Sequence, residues 1–297
     1  MISIVVNQKK IEAIKFADVL KKKLKHLKMH FSIIKNFPFS EEECALLKKS
    51  ELLVALGGDG TTLNTFKPLD GDFSKIIVSV NFGTLGYIAN VSQQKALSFL
   101  EKYANFLNQL QDHQAVIEKI KTSQSKQWIT EEKRLLYAQA ITKNNVTYSH
   151  YGLNEVVVCS SKPGKTIKLQ VSIGNQELCQ ILGDGALIAT PTGSTAYNLS
   201  AGGPIVLGDI PVMIFNPINP HSLSLKPLVI DHKQVIKITC LSQAILCIDG
   251  LSLLPLKEAD SVELTLSEKS INFLQDKNFD HYKILKKKLN WGQRRGH

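Results

Sequence analysis

The chain has 297 residues, 43% hydrophobic and 21% charged, the make-up of an ordinary soluble globular protein large enough for two domains. Its formal charge of +10 gathers in residues 9–28 and 283–295, with no basic patch interleaved with aromatics; this argues against a nucleic-acid partner and for solvated helix faces that attract anionic substrates. No apolar run reaches the roughly 18 residues of a membrane span, and five scattered cysteines without C-x-x-C spacing point away from disulfides or zinc and towards a reducing cytoplasm.

Residues 2–6 read as a short buried strand rather than a signal peptide. Residues 11–25 read as an amphipathic helix with Ile11, Ile14, Leu20 and Leu24 on one side. Residues 31–34, 52–56 and 76–80 follow as strands, the last two as continuous apolar runs suited to a central parallel sheet. After a helical stretch near 92–111 the character changes. Short runs rich in Val, Ile, Leu and Thr recur at 135–141, 155–158, 167–173, 187–189, 212–215, 228–230, 235–240, 244–248 and 261–266, as expected of antiparallel β structure. Residues 281–291 turn helical again. The expected architecture is a Rossmann-like α/β domain over 1–112, an antiparallel β-sandwich-like domain over 113–268, and a tail over 269–297 whose helix returns to the first domain.

Two glycine-rich segments carry the chemistry. Gly57-Gly58-Asp59-Gly60-Thr61 directly follows a buried run, where glycines permit positive φ and successive N–H groups cradle phosphate. A carboxylate at position 59 repels phosphate unless it has a chemical task such as accepting a proton; the alternative is that Asp59 caps the turn. Gly183-Asp184-Gly185 runs on to Thr190-Pro191-Thr192-Gly193-Ser194-Thr195-Ala196-Tyr197, small and hydroxyl-bearing residues suited to wrapping a polar ligand. Asn154-Glu155 suits a ribose diol or an adenine edge, or a plain turn carboxylate. Tyr197 suits stacking on a base, or a place in the core. Asp249-Gly250 reads as a β-turn and His221 as structural. Pro163-Gly164-Lys165-Thr166 lacks the leading glycine of a Walker A loop, and no G-x-G-x-x-G follows the first strand.

In their order, Gly57–Thr61, Asn81–Tyr87, Asn154–Val157, Gly183–Pro204, Pro220–Ser224, Asp249-Gly250 and Lys288–Gly292 resemble the NAD kinase family over nearly the whole chain. The glycine turn is shared with diacylglycerol kinase-like and phosphofructokinase-like proteins; the long second segment is the specific one. The resemblance implies that ATP or inorganic polyphosphate phosphorylates the adenosine-ribose 2′-hydroxyl of NAD, with Asp59 as general base. It implies phosphate contacts from Gly57, Gly58, Gly60 and Thr61. It implies dinucleotide contacts from Asp59, Gly60, Tyr87, Asn154, Glu155, Lys165, Asp184, Thr192, Thr195, Ala196, Tyr197, Asn198, Leu199 and Ser200. Mg²⁺ is expected with ATP and without dedicated protein ligands. A cytoplasmic homodimer or homotetramer is implied, with neither nucleic acid nor membrane as partner. Leu182, Lys226 and Leu251 depart from the usual pattern, and Tyr87 stands where Phe is commoner. The competing readings are a lipid or sugar kinase sharing the first turn and a non-catalytic NAD sensor.

Overall fold

Continuous apolar strands need cover on both faces, and a parallel sheet flanked by helices supplies it. The computed structural model describes every residue except 36, 70, 84, 85, 124, 126, 143–146, 163, 208, 209 and 293–297. Strand β1 (Ile2–Val6) leads to helix α1 (Ile11–His26), β2 (Phe31–Ile34), α2 (Glu41–Lys49), β3 (Leu52–Gly57) and α3 (Asp59–Phe66). A 3-10 turn (Lys67–Leu69), β4 (Ile76–Asn81), α4 (Gln93–Leu110) and α5 (His113–Thr122) follow. The strands run parallel in the order β2-β1-β3-β4, with Ile2 level with Phe31 and Leu52, and Gly57 level with Asn81. The chain leaves β1 for a neighbour on one side and returns to β3 on the other, so the winding reverses between β1 and β3.

Alternate residues sort the two faces, as the two-residue period of a strand requires. Ile2, Ile4, Val54 and Val78 pack with Phe16, Leu20 and Leu24 of α1 and Phe99 of α4. Ser79 turns the other way to Thr62 of α3, with 3.0 Å between the hydroxyl oxygens. Helix α1 departs from expectation at its start, where Ile11 is 71% exposed. The buried stripe is Ala13, Phe16, Ala17, Leu20 and Leu24; at 100° per residue, Ile11 falls on the far side from Leu20. Local chemistry fixes the other starts. Ser40 and Glu43 form a reciprocal capping box on α2, Ser92 accepts from the Lys95 amide, and Asp112 from those of Gln114 and Ala115.

The antiparallel part begins in β5 (Trp128–Ile141) and continues through β6 (Thr147–Gly152), β7 (Glu155–Cys159), β8 (Ile167–Ile173), β9 (Gln176–Gly183) and β10 (Gly185–Ala189). A 3-10 turn (Thr192–Thr195) and helix α6 (Tyr197–Ser200) precede β11 (Val212–Ile218), β12 (Leu228–Asp231), β13 (Ile236–Cys240), β14 (Ala244–Ile248), β15 (Leu251–Leu256) and β16 (Ser261–Asp276). One sheet has the order β12-β11-β10-β7-β14-β15. Its Val156, Val158, Ala186 and Ile188 pack against Leu169, Val171, Ile238 and Leu264 of β8, β13 and β16, which makes a sandwich core. The opposite face carries a smaller cluster of Val157, Leu187, Ala189 and Ile214, joined by Cys159 and Cys247.

Contacts divide the chain into two units, residues 1–132 with 271–297, and residues 133–270. The sequence boundary near 112 falls short of this division because α5 is a helix, with Val116, Ile117 and Ile120 in the same core as Phe99. From Ile271 the chain rejoins the first unit. Asn272, Phe273 and Leu274 of β16 run parallel to Ile76, Ile77 and Val78, and α7 (His281–Leu289) follows with Ile284 and Leu285 buried. Among the described residues no helix is long and apolar enough to cross a membrane.

Candidate active site

Strand β3 ends at Gly57, and α3 begins two residues later with Asp59 in its first turn. The expected positive φ is not found in this turn: Gly58, which caps the helix, has φ −136° and ψ −167°. The glycines serve clearance instead. A Cβ at Gly57 would lie 2.1 Å from Thr61 Oγ1, whereas one at Gly58 or Gly60 would meet nothing within 4 Å among the described residues. That open side lies beside the first amides of α3, those of Asp59 and Gly60, which precede the first bond of the helix, from the Thr61 amide to the Gly58 carbonyl at 3.0 Å. The start of this helix is therefore an anion-accepting position.

Asp59 does not cap its own turn. Its Oδ1 accepts from the amides of Ile88 and Ala89 at 3.0 and 2.9 Å, and its Oδ2 from the amide of Tyr87 at 3.0 Å. Lys288 of α7 donates to the same Oδ2 at 3.0 Å, and its ammonium lies 4.5 Å from the centre of the Tyr87 ring. Burial pushes the Asp59 carboxyl up, but the amides and the Lys288 charge outweigh it and hold it below its ordinary value. The group is therefore an ionised acceptor at neutral pH. The Tyr87 hydroxyl is buried without a hydrogen-bond partner among the described residues. Its ring, not its oxygen, meets the lysine. Thr84 and Leu85, within the 81–87 segment read from sequence, lie outside the described residues.

In the second unit, the Asp249-Gly250 turn joins β14 to β15 with φ +49° and +76°. The buried Asp249 carboxylate accepts from the amides of Leu153, Asn154 and Glu155 at 2.7, 2.8 and 3.1 Å. This turn aspartate thus fastens the segment carrying Asn154 and Glu155, both of which are buried. Thr190 braces the same segment from β10, donating to the Leu153 carbonyl at 2.7 Å and accepting from the Gly193 amide at 2.9 Å. Gly193 must be a glycine, because a Cβ there would lie 2.0 Å from the Asn154 carbonyl oxygen.

Tyr197 is 45% exposed at the start of α6. Burial raises its phenol pKa, and the negative charges of Asp184 and Glu155 add to the rise. Tyr197, Glu155 and Asp184 are therefore electrostatic neighbours. Asp184 is exposed between β9 and β10 and accepts from the Asn219 side chain at 2.8 Å. Thr192, Thr195, Ala196 and Leu199 are half-buried along the 3-10 turn and α6, and Ser200 is exposed.

Asn198 departs from the expected set. It is fully buried, donates to the carbonyls of Ser194 and Pro204 at 3.1 and 3.0 Å, and accepts from Asn216 at 3.1 Å. Its amide is spent on folding the loop, which its sequence spacing could not reveal. Lys165 is exposed on the turn before β8. Lys288 and Asp249 are the residues whose roles sequence reasoning missed. The only signals were a tail motif and a dipeptide that reads as a turn.

A family model described as the ATP-NAD kinase N-terminal domain matches residues 2–107, and one described as the ATP-NAD kinase C-terminal domain matches 153–275. The chain is 30% identical over 249 residues to an NAD kinase of Sulfurimonas denitrificans, covering 84% of this chain and 80% of that protein. It is 30% identical over 296 residues to an NAD kinase of Fusobacterium nucleatum, covering 98% of each. In fold it resembles the crystal structure of yeast NADH kinase complexed with NADH, with a TM-score of 0.77 at 20% identity, over 100% of this chain and 90% of that one.

Proposed function

The chain belongs to the ATP-NAD kinase family and is a kinase, and from that premise we propose that it moves the γ-phosphoryl group of ATP to the adenosine-ribose 2′-hydroxyl of NAD, giving NADP and ADP. The observation that carries the reading is Asp59, an ionised carboxylate at the start of α3 with three backbone amides fixing its direction. The ribose oxygen attacks the γ-phosphorus. A new P–O bond forms, the bond to the β-phosphate oxygen breaks, and its electron pair leaves with ADP. The hydroxyl proton passes to Oδ2 of Asp59, whose Lys288 partner is the one side-chain donor on that carboxylate among the described residues. Such general-base help contributes roughly 10²–10⁴-fold, and positioning and charge neutralisation supply the rest. Mg²⁺ would come with ATP as part of the substrate and would supply charge neutralisation on the phosphates.

Gly58, Gly60 and the leading amides of α3 receive the phosphates, with Gly57 and Thr61 shaping the turn, and Tyr87 forms the adenine-side wall. In the second unit Asn154 and Glu155 hold the adenosine. Asp184 contacts the nicotinamide riboside, with Ala196 and Ser200 beside it. Thr192, Thr195, Tyr197 and Leu199 line the same ligand, and Lys165 reaches it from its turn; Asn198 supports their loop. The same reading includes a cytoplasmic homodimer or homotetramer. Labelled Mg–ATP offered with NAD, diacylglycerol or fructose 6-phosphate tests the acceptor. Label is expected in NADP alone; transfer to the lipid or sugar instead would replace this reading with the corresponding kinase.

A further inference from the structure

Helix α7 carries the lysines Lys283, Lys286, Lys287 and Lys288. The first three are exposed, as ammonium side chains on a helix ordinarily are. Lys288 is not. It follows the buried Ile284 by four residues and Leu285 by three, so it shares their inward face, and its side chain is 24% exposed. Its ammonium stands between two groups, Asp59 Oδ2 at 3.0 Å and the centre of the Tyr87 ring at 4.5 Å. All three residues belong to the first unit. The lysine thus has a second foothold beside the oxygen it occupies, and a hydroxyl that gives its proton to Oδ2 has to take its place there.

Charge balance says where the displaced ammonium goes. When Asp59 takes the hydroxyl proton its carboxylate becomes neutral, and ADP and the new ester together carry one more negative charge than ATP did. The charge that partnered the lysine has moved to the phosphate oxygens. Distance permits the lysine to follow it. A hydroxyl oxygen sits roughly 2.6–3.2 Å from its base and roughly 3–3.5 Å from the atom it attacks, so the phosphorus lies within about 7 Å of Oδ2. We propose that Lys288 is a catalytic residue: it yields Oδ2 to the ribose hydroxyl, and its ammonium passes to the oxygens of the transferring phosphoryl group. The Tyr87 ring keeps the ammonium at the site while it changes partner. The lysine neither gives nor takes a proton. The hydroxyl proton goes to Oδ2, and the electron pair of the breaking bond leaves with ADP. A cation already in place where charge develops stabilises the transition state without reorganisation. This role rests on the kinase reading and adds to it a second group that acts on the reacting atoms.

The test takes kcat and the KM values for NAD and Mg–ATP across pH for the full chain and its Lys288→Met, Lys288→Arg and Lys287→Ala variants, with melting curves for each. Methionine keeps an unbranched apolar stem on the inward face of α7; should it fail to fold, Lys288→Gln is read by the same criterion. A lysine that only favours the ionised carboxylate acts on the acid limb alone, whereas one that meets the phosphoryl group acts at every pH. The expected result is a fall of at least about tenfold in kcat on the pH-independent plateau of Lys288→Met, a lower bound beside the roughly 10²–10³-fold loss when one oxyanion donor is removed. Both KM values should stay within about threefold, Lys288→Arg should recover part of the rate, and Lys287→Ala should match the parent. A folded Lys288→Met whose plateau falls less than tenfold, a loss carried by KM alone, or a Lys288→Arg no faster than Lys288→Met would overturn the proposal and leave the kinase reading standing. A parent that forms no NADP would refute the kinase reading, and this role with it.

Discussion

Asp59 gathers four hydrogen bonds onto two oxygens, and only one of the donors is a side chain free to move. Lys288 therefore does two things: it favours the ionised carboxylate and occupies the oxygen that a substrate hydroxyl would need. Removing it takes away a cause of the lowered pKa, so Asp59 in Lys288→Ala should protonate at higher pH than in the parent. The acid limb of the kcat profile should move upward in pH; an unmoved limb would show that Lys288 does not tune the base. The stability effect has the opposite boundary. Because the folded pKa lies below the unfolded one, the contribution of Asp59 is complete above the ordinary carboxylate value and is lost as pH falls through the folded value. The aspartate itself was legible, since a carboxylate inside a glycine turn after a buried strand is chemically unusual. Its partners were not, because Lys288 lies 229 residues away and the amides belong to a loop without periodic pattern.

At the scale of elements, two glycines of similar appearance make opposite demands. A Cβ at Gly193 would overlap the Asn154 carbonyl, while one at Gly58 would meet nothing among the described residues. Gly193→Ala should destabilise the protein by about 1–3 kcal/mol, the range for overpacking a filled site, and raise the KM for NAD through the displaced Asn154. Gly58→Ala should melt within about 0.5 kcal/mol of the parent, as a change clear of packing does, yet raise the KM for ATP because the methyl occupies the ligand's side of the turn. Thermal melts and steady-state kinetics on the two variants check both statements; equal destabilisation would contradict the distinction. The sequence showed two glycine-rich segments but could not say which glycine faces protein. The same blindness applies to Asn198, whose neighbours Tyr197 and Ser200 face outward while it is buried. A four-residue helix is too short for a periodic signal.

For the whole molecule, alternation of apolar runs with helical stretches revealed the parallel sheet, and closely spaced short runs revealed the antiparallel sandwich. Helix α5 was hidden because Val116, Ile117 and Ile120 read equally well as the beginning of β structure; only packing against Phe99 decides the matter. On the proposed function the labour divides between the two units, with phosphate chemistry assigned to the parallel sheet and dinucleotide contacts to the six-stranded sheet with its covering loop. Both depend on carboxylates that gather backbone amides, Asp59 in one unit and Asp249 in the other. The second holds the 153–155 segment in place, and the first is the proposed acceptor of the ribose proton.

The account turns on Asp59 as the acceptor of the ribose proton. Its most direct test is NADP formation from NAD and Mg–ATP by Asp59→Asn, read beside NAD binding and the melting temperature of the same preparation. We predict a fall in kcat of at least about 10²-fold, the lower range for general-base catalysis, with NAD affinity within about threefold and the fold retained. A folded variant that binds NAD as the parent does and turns over within tenfold of it would contradict the assignment.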